Sequence, residues 1–197
     1  MSFFQSLPEG ATPLEPEEQE GLIPSFVQTK GELNEWEQVN ILEAERWLFS
    51  QSRLRKFELN RDWMLRIHKE MFGQVWRWAG HLRSTERNIG VDPILIGIEL
   101  RNLCDDATYW LDNRIFPLDE AVARLHHRLV AVHLFPNGNG RHARLVADAV
   151  LAKHGTERFT WGRGSLNGDG DVRRRYIEAL RAADGYDIGP LLDFVRS

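Results

Sequence analysis

The stretch HLFPNGNGRHAR, His133 to Arg144, gathers three kinds of side chain that could do chemistry together. A histidine leads, a turn of Gly138, Asn139 and Gly140 follows, and Arg141 and Arg144 close the stretch. A neutral imidazole, with an ordinary pKa of ~6.5, can take a proton from a hydroxyl near neutral pH. Glycines reach backbone conformations that let successive N–H groups converge on an anion, and phosphate is the natural occupant. A helix starting at this turn would add the positive end of its dipole, with Arg141 and Arg144 on one face of its first turns as phosphate ligands. A base beside a phosphate cradle is the equipment for group transfer from a nucleotide. Phe135 is expected to face the core and fix the loop.

The elements that must position this loop are helical by spacing. Leu33, Trp36, Ile41, Ala44, Trp47 and Leu48 recur at helical intervals up to Ser52, and Trp63, Ile67, His68 and Met71 share a face between Arg61 and Phe72, with Asn60 as N-cap. Helices are expected again from Leu95 to Leu111 and after Pro117 through Ala121, Val122, Leu125, Leu129 and Val132, which puts His133 at a helix C-terminus. Pro136 breaks the pattern, and a stripe of Leu145, Val146, Ala149 and Val150 resumes it. Val172 to Ala183 and Ile188 to Val195 read as closing helices. Between Gly80 and Pro93 strand formers mix with turn residues, which predicts a short hairpin or extended flap. The fold class is all-α with one small β excursion.

Two regions follow from composition. Residues 1–29 hold five glutamates, four prolines and no Lys or Arg, so they read as an extended acidic arm, either docked through Leu22, Ile23 and Phe26 or left as a tethered tail. Residues 30–197 form the single domain that the length suggests. With 42% hydrophobic and 27% charged residues the chain has the balance of a soluble globular protein. A net charge of -4 argues against direct nucleic-acid binding, no apolar run is long enough to span a membrane, and a lone Cys104 allows no internal disulfide. A cytoplasmic location is expected.

The quoted loop resembles the Fic motif: His, any residue, Phe, any residue, Asp or Glu, Gly, Asn, Gly or Lys, Arg, two residues, Arg. The likeness extends to GHLRSTERNIG, similar to the family's flap, and to VRRRYIEALRAADGYDIGPLLDFV, similar to its C-terminal helices, so it runs from about Leu33 to the C-terminus. The N-terminal GATPLEPEEQEGLIPSFVQTKGELNEWEQVNI further resembles the bacterial subgroup called mobile mystery protein B. The resemblance implies a Fic-fold helical bundle with a β-hairpin flap, and transfer of AMP from ATP to a Ser, Thr or Tyr hydroxyl of a target protein with release of pyrophosphate. It implies His133 as the base, the backbone from Gly138 to Gly140 with Asn139 as phosphate holder, Arg141 on the departing pyrophosphate and Arg144 at the γ-phosphate. The flap, Thr85, Glu86, Arg87, Asn88 and Ile89, would hold an extended target segment by strand addition. A small regulatory partner protein is a further expectation from the subgroup.

One defined position departs from the motif. Asn137 stands where the family has the Asp or Glu that holds Mg²⁺ (or Mn²⁺), and an amide oxygen lacks the charge a hard cation favours. Transfer of another group, phosphate or UMP, and a nucleotide- or protein-binding module with vestigial catalysis are therefore alternative readings.

Many Fic proteins also carry a segment of Ser or Thr, three residues, Glu, then Gly or Asn, whose glutamate pairs with the second motif arginine. Here TKGELNEWE offers Glu32, one residue early, and Glu35, two late; either would reach Arg144 if the helix start is shifted, or both belong to a solvated first helical turn. Tyr176 is a candidate for the adenine pocket. His126, His127 and His133 are not expected to form a metal centre, and Arg173 to Arg175 read as a solvated helix face.

Overall fold

The computed structural model describes residues 14–164, 166 and 170–197, and among these every regular element is helical. A short α1 (Pro16–Gln19) precedes α2 (Lys30–Leu48). Thr29 caps α2: its hydroxyl accepts from the Glu32 N–H, and the Glu32 carboxylate returns to the Thr29 N–H at 2.9 Å. The single helix expected up to Ser52 is interrupted at Phe49 and Ser50, and α3 (Gln51–Lys56) follows. The expected Asn60 cap of α4 (Arg61–Phe72) is present, its side chain accepting from Trp63 N–H.

α5 (Ile96–Asp112), α6 (Leu118–Val132) and α7 (Asn139–Lys153) build the centre, with α6 packed along both its neighbours and α7 also touching α3 and α4. Val122, Leu125 and Leu129 of α6 and Val146, Ala149 and Val150 of α7 are buried, the stripes their spacing predicted. α2 lies on α4, and α8 (Asp171–Asp184) pairs with α9 (Gly189–Arg196), which reaches back to α6. No helix among the described residues is long and apolar enough to cross a membrane.

Two expectations are corrected. The hairpin between Gly80 and Pro93 does not form: the segment has no ladder, and β pairing among the described residues is limited to one antiparallel bridge between Leu22 and Trp76. Arg83 does what cross-strand bonds would have done. Its guanidinium donates to the carbonyls of Thr85 at 2.8 Å and Val91 at 2.5 Å, which ties the two limbs of the flap together. Residues 1–13 of the expected acidic arm lie outside the described residues; from residue 14 on the arm is not extended throughout, because residues 16–19 are helical and this part is docked. Leu22 packs on the core, Val27 is buried, and Phe26 meets Trp36 edge-on while staying largely exposed, as does Ile23.

Candidate functional site

His133 ends α6 in the left-handed region, φ 58° and ψ 67°, which reverses the chain and starts the loop toward α7. The side chain is buried, 5% exposed. Burial first, then the nearby cations of Arg83 and Arg87, push its pKa from 6.5 down to about 4, so the imidazole is neutral at physiological pH. Gly90 of the flap presses on it: a Cβ there would lie 2.7 Å from the His133 Cβ and 2.6 Å from Arg83, at a φ of 108° that only glycine adopts easily.

The loop beyond His133 is closed by its own side chains. Asn139 accepts from the Phe135 N–H at 2.9 Å and donates to the Phe135 carbonyl at 2.8 Å. The amide expected to assist with phosphate is thus committed to shaping the turn, and what the loop presents is its backbone. Phe135 is fully buried and stacks on His68, centroids 3.6 Å apart. His68 Nδ1 accepts from Gly80 N–H at 3.0 Å, so its other nitrogen carries the proton and donates to the Asn137 carbonyl at 3.1 Å. Burial holds this histidine neutral, its pKa well below the ordinary value. One side chain of α4 thereby joins the start of the flap to the motif loop.

Gly138, at φ 79°, is the N-cap of α7, and a Cβ there would come within 2.6 Å of the Phe72 ring. The same ring supports the Arg141 guanidinium, 4.8 Å from its centroid. Main-chain N–H groups in the first turn of α7 have no carbonyl within the helix to take, and they point toward the side from which the loop arrives.

The two arginines have different surroundings. Arg141 donates to Glu37 of α2 at 2.6 Å and to the Asn137 side-chain oxygen at 3.2 Å. Arg144 hydrogen-bonds the Tyr176 hydroxyl and lies 5.8 Å above that ring. Tyr176, offered by the sequence for an adenine pocket, is buried; its hydroxyl also meets His126 Nε2 at 2.9 Å, so it serves Arg144 instead. Both arginines open on a cleft of about 250 Å³ between α2, α7 and residues 161–166, walled by Gln38, Glu45, Asp148 and Trp161. Burial raises the Asp148 pKa to about 7 against the opposing bonds from Trp161 and Phe159.

The glutamates expected to reach Arg144 do not do so. Glu32 accepts from the N–H groups of Gln28 and Thr29, which lower its pKa, and Glu35 is exposed. The glutamate that does reach a motif arginine is Glu37, 5% exposed, one oxygen on Arg141 and the other accepting from Trp76 Nε1 at 2.7 Å. A signal for it existed: Glu37 falls on the buried stripe of α2 with Leu33, Asn40, Ile41, Ala44 and Leu48, where a carboxylate needs a partner.

The protein side of the loop does not fit a resident Mg²⁺ or Mn²⁺. The Asn137 oxygen is neutral, accepts from Gly138 N–H at 2.6 Å and faces the Arg141 cation. Among the described residues no group of three His, Cys, Asp or Glu side chains could hold a metal ion. His126 and His127 have separate partners, Tyr176 and Asp184.

A left-handed histidine, a glycine-capped helix and two arginines at its first turns are brought together in one loop of a helical domain. Residues 58–151 match the model of the Fic/DOC family, and the chain carries a Fic/DOC-family domain over that segment. Among curated relatives it is 28% identical over 147 residues to a protein adenylyltransferase, fic-1, of Caenorhabditis elegans, covering 70% of this chain and 27% of that protein. It is 32% identical over 142 residues to the protein adenylyltransferase Fic of Nematostella vectensis, covering 68% of this chain and 31% of the relative. The chain thus spans about a third or less of those relatives' length. The fold is shared with the BepC effector of Bartonella tribocorum solved with bound AMPPNP: TM-score 0.65, 17% identity, covering 92% of this chain and 97% of that one.

Proposed function

We propose that this chain is a protein adenylyltransferase that moves AMP from ATP to a Ser, Thr or Tyr hydroxyl of a target protein. The observation that carries the reading is the neutral, buried imidazole of His133 set one loop ahead of the α7 N-terminus and its two arginines. The curated relatives of the same domain are named for this activity, and a structure of the same fold holds an ATP analogue.

His133 takes the proton of the target hydroxyl. The oxygen forms a bond to the α-phosphorus, the bond from that phosphorus to the bridging oxygen of the β-phosphate breaks, and pyrophosphate leaves. The amides of the α7 first turn hold phosphate oxygens, and Arg141 and Arg144 stabilise the charge that builds on the leaving group. The flap from Thr85 to Ile89 holds the target segment. A divalent cation would arrive as part of the nucleotide substrate. Glu37 occupies Arg141, so it competes with phosphate for that guanidinium and restrains the site until displaced. A cytoplasmic location and a small regulatory partner complete the reading.

Asn137 favours a second reading, a nucleotide-binding module that does not transfer. Incubation with α-labelled or γ-labelled ATP in cell lysate separates the two: protein labelled from the α position alone marks adenylyl transfer, label from γ alone marks phosphorylation, and nucleotide binding without label supports the module.

A further inference from the structure

The acidic arm and the flap meet through one cation. Arg87 projects from the flap with its side chain only 2% exposed, between the carboxylates of Glu15, at 3.0 Å, and Glu18, which it grips with one nitrogen. The Thr85 hydroxyl donates to the same Glu18 carboxylate at 3.3 Å, and Trp78 Nε1 donates to the Glu18 carbonyl at 3.0 Å. The arm then runs along residues 75–77: Arg77 N–H donates to Gly21 carbonyl at 2.9 Å and Ile23 N–H to Val75 carbonyl at 2.8 Å. Gly21 leaves no room for a side chain, since a Cβ would lie 2.8 Å from Trp78. Glu17 and Glu20 also sit on this short stretch, so four carboxylates lie within six residues of chain. Ile89, two residues beyond Arg87, remains 41% exposed.

Arg83 ties Thr85 and Val91, on either side of Arg87, to the carbonyl of His133, which puts Arg87 on the loop held over the proposed base. A guanidinium is costly to bury without carboxylates, and the arm supplies both. Uncovered, it would present a fork of donors beside the proton acceptor, on the segment assigned above to target docking.

We propose that Arg87 and Thr85 form a dock for an acidic segment of the target protein, and that residues 14–20 of this chain fill that dock as an internal stand-in that the target displaces. The inference rests on the flap being the target-docking element. It names the chemistry of the target segment: carboxylates spaced as Glu15 and Glu18 are. It also separates two restraints, Glu37 on the nucleotide side and the arm on the target side.

The test uses the full chain and a fluorophore-labelled peptide of residues 12–23, followed by anisotropy without nucleotide. An intramolecular occupant lowers apparent affinity by the fraction of open dock, so Glu15→Gln/Glu18→Gln should bind the peptide roughly tenfold or more tightly than the unaltered chain. Adding Arg87→Gln to that variant should abolish binding, and a peptide with Gln at the positions of Glu15 and Glu18 should not bind. Circular dichroism melts confirm that each variant is folded. Equal affinity of the unaltered chain and the double variant, or binding that survives Arg87→Gln in the folded protein, overturns the proposal. If α-labelled ATP never labels protein while the peptide binds as expected, the transfer reading fails and the acidic dock stands.

Discussion

Arg83 donates from Nε to the carbonyl of His133 at 2.6 Å, while its terminal nitrogens hold Thr85 and Val91. One buried side chain thus fixes the backbone of the proposed base and both limbs of the flap over it. Arg83→Met should lower kcat by roughly 100-fold, the scale set by ångström-level misplacement of a reacting group, with nucleotide affinity within a few-fold. It should also raise the acid limb of the pH profile, because a cation that disfavours imidazolium is gone. A folded variant with an unmoved limb would limit Arg83 to a structural role.

His133→Ala should abolish transfer and leave nucleotide affinity within several-fold, read by labelled-ATP incorporation and by calorimetry. Because the His133 pKa is lowered to about 4, kcat/KM in the unaltered chain should hold as pH falls through 6.5 and drop only near 4, after correction for the folded fraction. The sign for stability follows from the same shift. Between 6.5 and 4 the unfolded chain gains a proton that the folded chain refuses, so stability is lost over that window. An acid limb at 6.5 would mean the imidazole is not the buried group seen here.

Glu37→Gln keeps an acceptor for Trp76 and removes the charge from Arg141. ATP affinity and automodification should rise by about tenfold, the equivalent of ~1.4 kcal/mol, close to the lower end of what hydrogen bonds to charged groups contribute. Glu32→Gly should leave both unchanged and cost about 1 kcal/mol of stability through loss of the capping box and helix propensity. Activation by the Glu32 change alone would reverse the assignment.

Asn137→Asp places a charged oxygen beside Gly138 N–H and Arg141. The Mg²⁺ concentration needed for half-maximal ATP binding should fall several-fold. Superimposable Mg²⁺ titrations of the two proteins would remove position 137 from contact with the metal-nucleotide.

The local features were legible and the distant ones were not. Helical spacing located α4 and α6, Asn60 announced its cap, and Pro136 with Gly138 marked the break that puts His133 before α7. Glu37 and Arg141 are 104 positions apart, and Arg83 and His133 are 50 apart; no periodicity records such pairings. The hairpin expectation failed because alternating strand formers and turn residues cannot reveal that one arginine will satisfy carbonyls on both limbs. Asn139 shows a related limit. Its amide suits phosphate by type, but the nearby Phe135 backbone takes it first. His68 looked like one more apolar-face residue, and its bonds to Gly80 and Asn137 appear only once the loop is folded.

Phe72 leaves no room for a side chain at Gly138 and also underlies the Arg141 guanidinium. The shape of the loop and the height of its first charge are therefore one mechanical variable. Shrinking the ring with Phe72→Leu would relieve the clash of Gly138→Ala and at the same time let Arg141 sink. The two substitutions should be strongly non-additive, less damaging to stability together than their separate costs imply. They would not restore the position of the charge, so variation at residues 72 and 138 can recover a folded loop without recovering the proposed grip on phosphate.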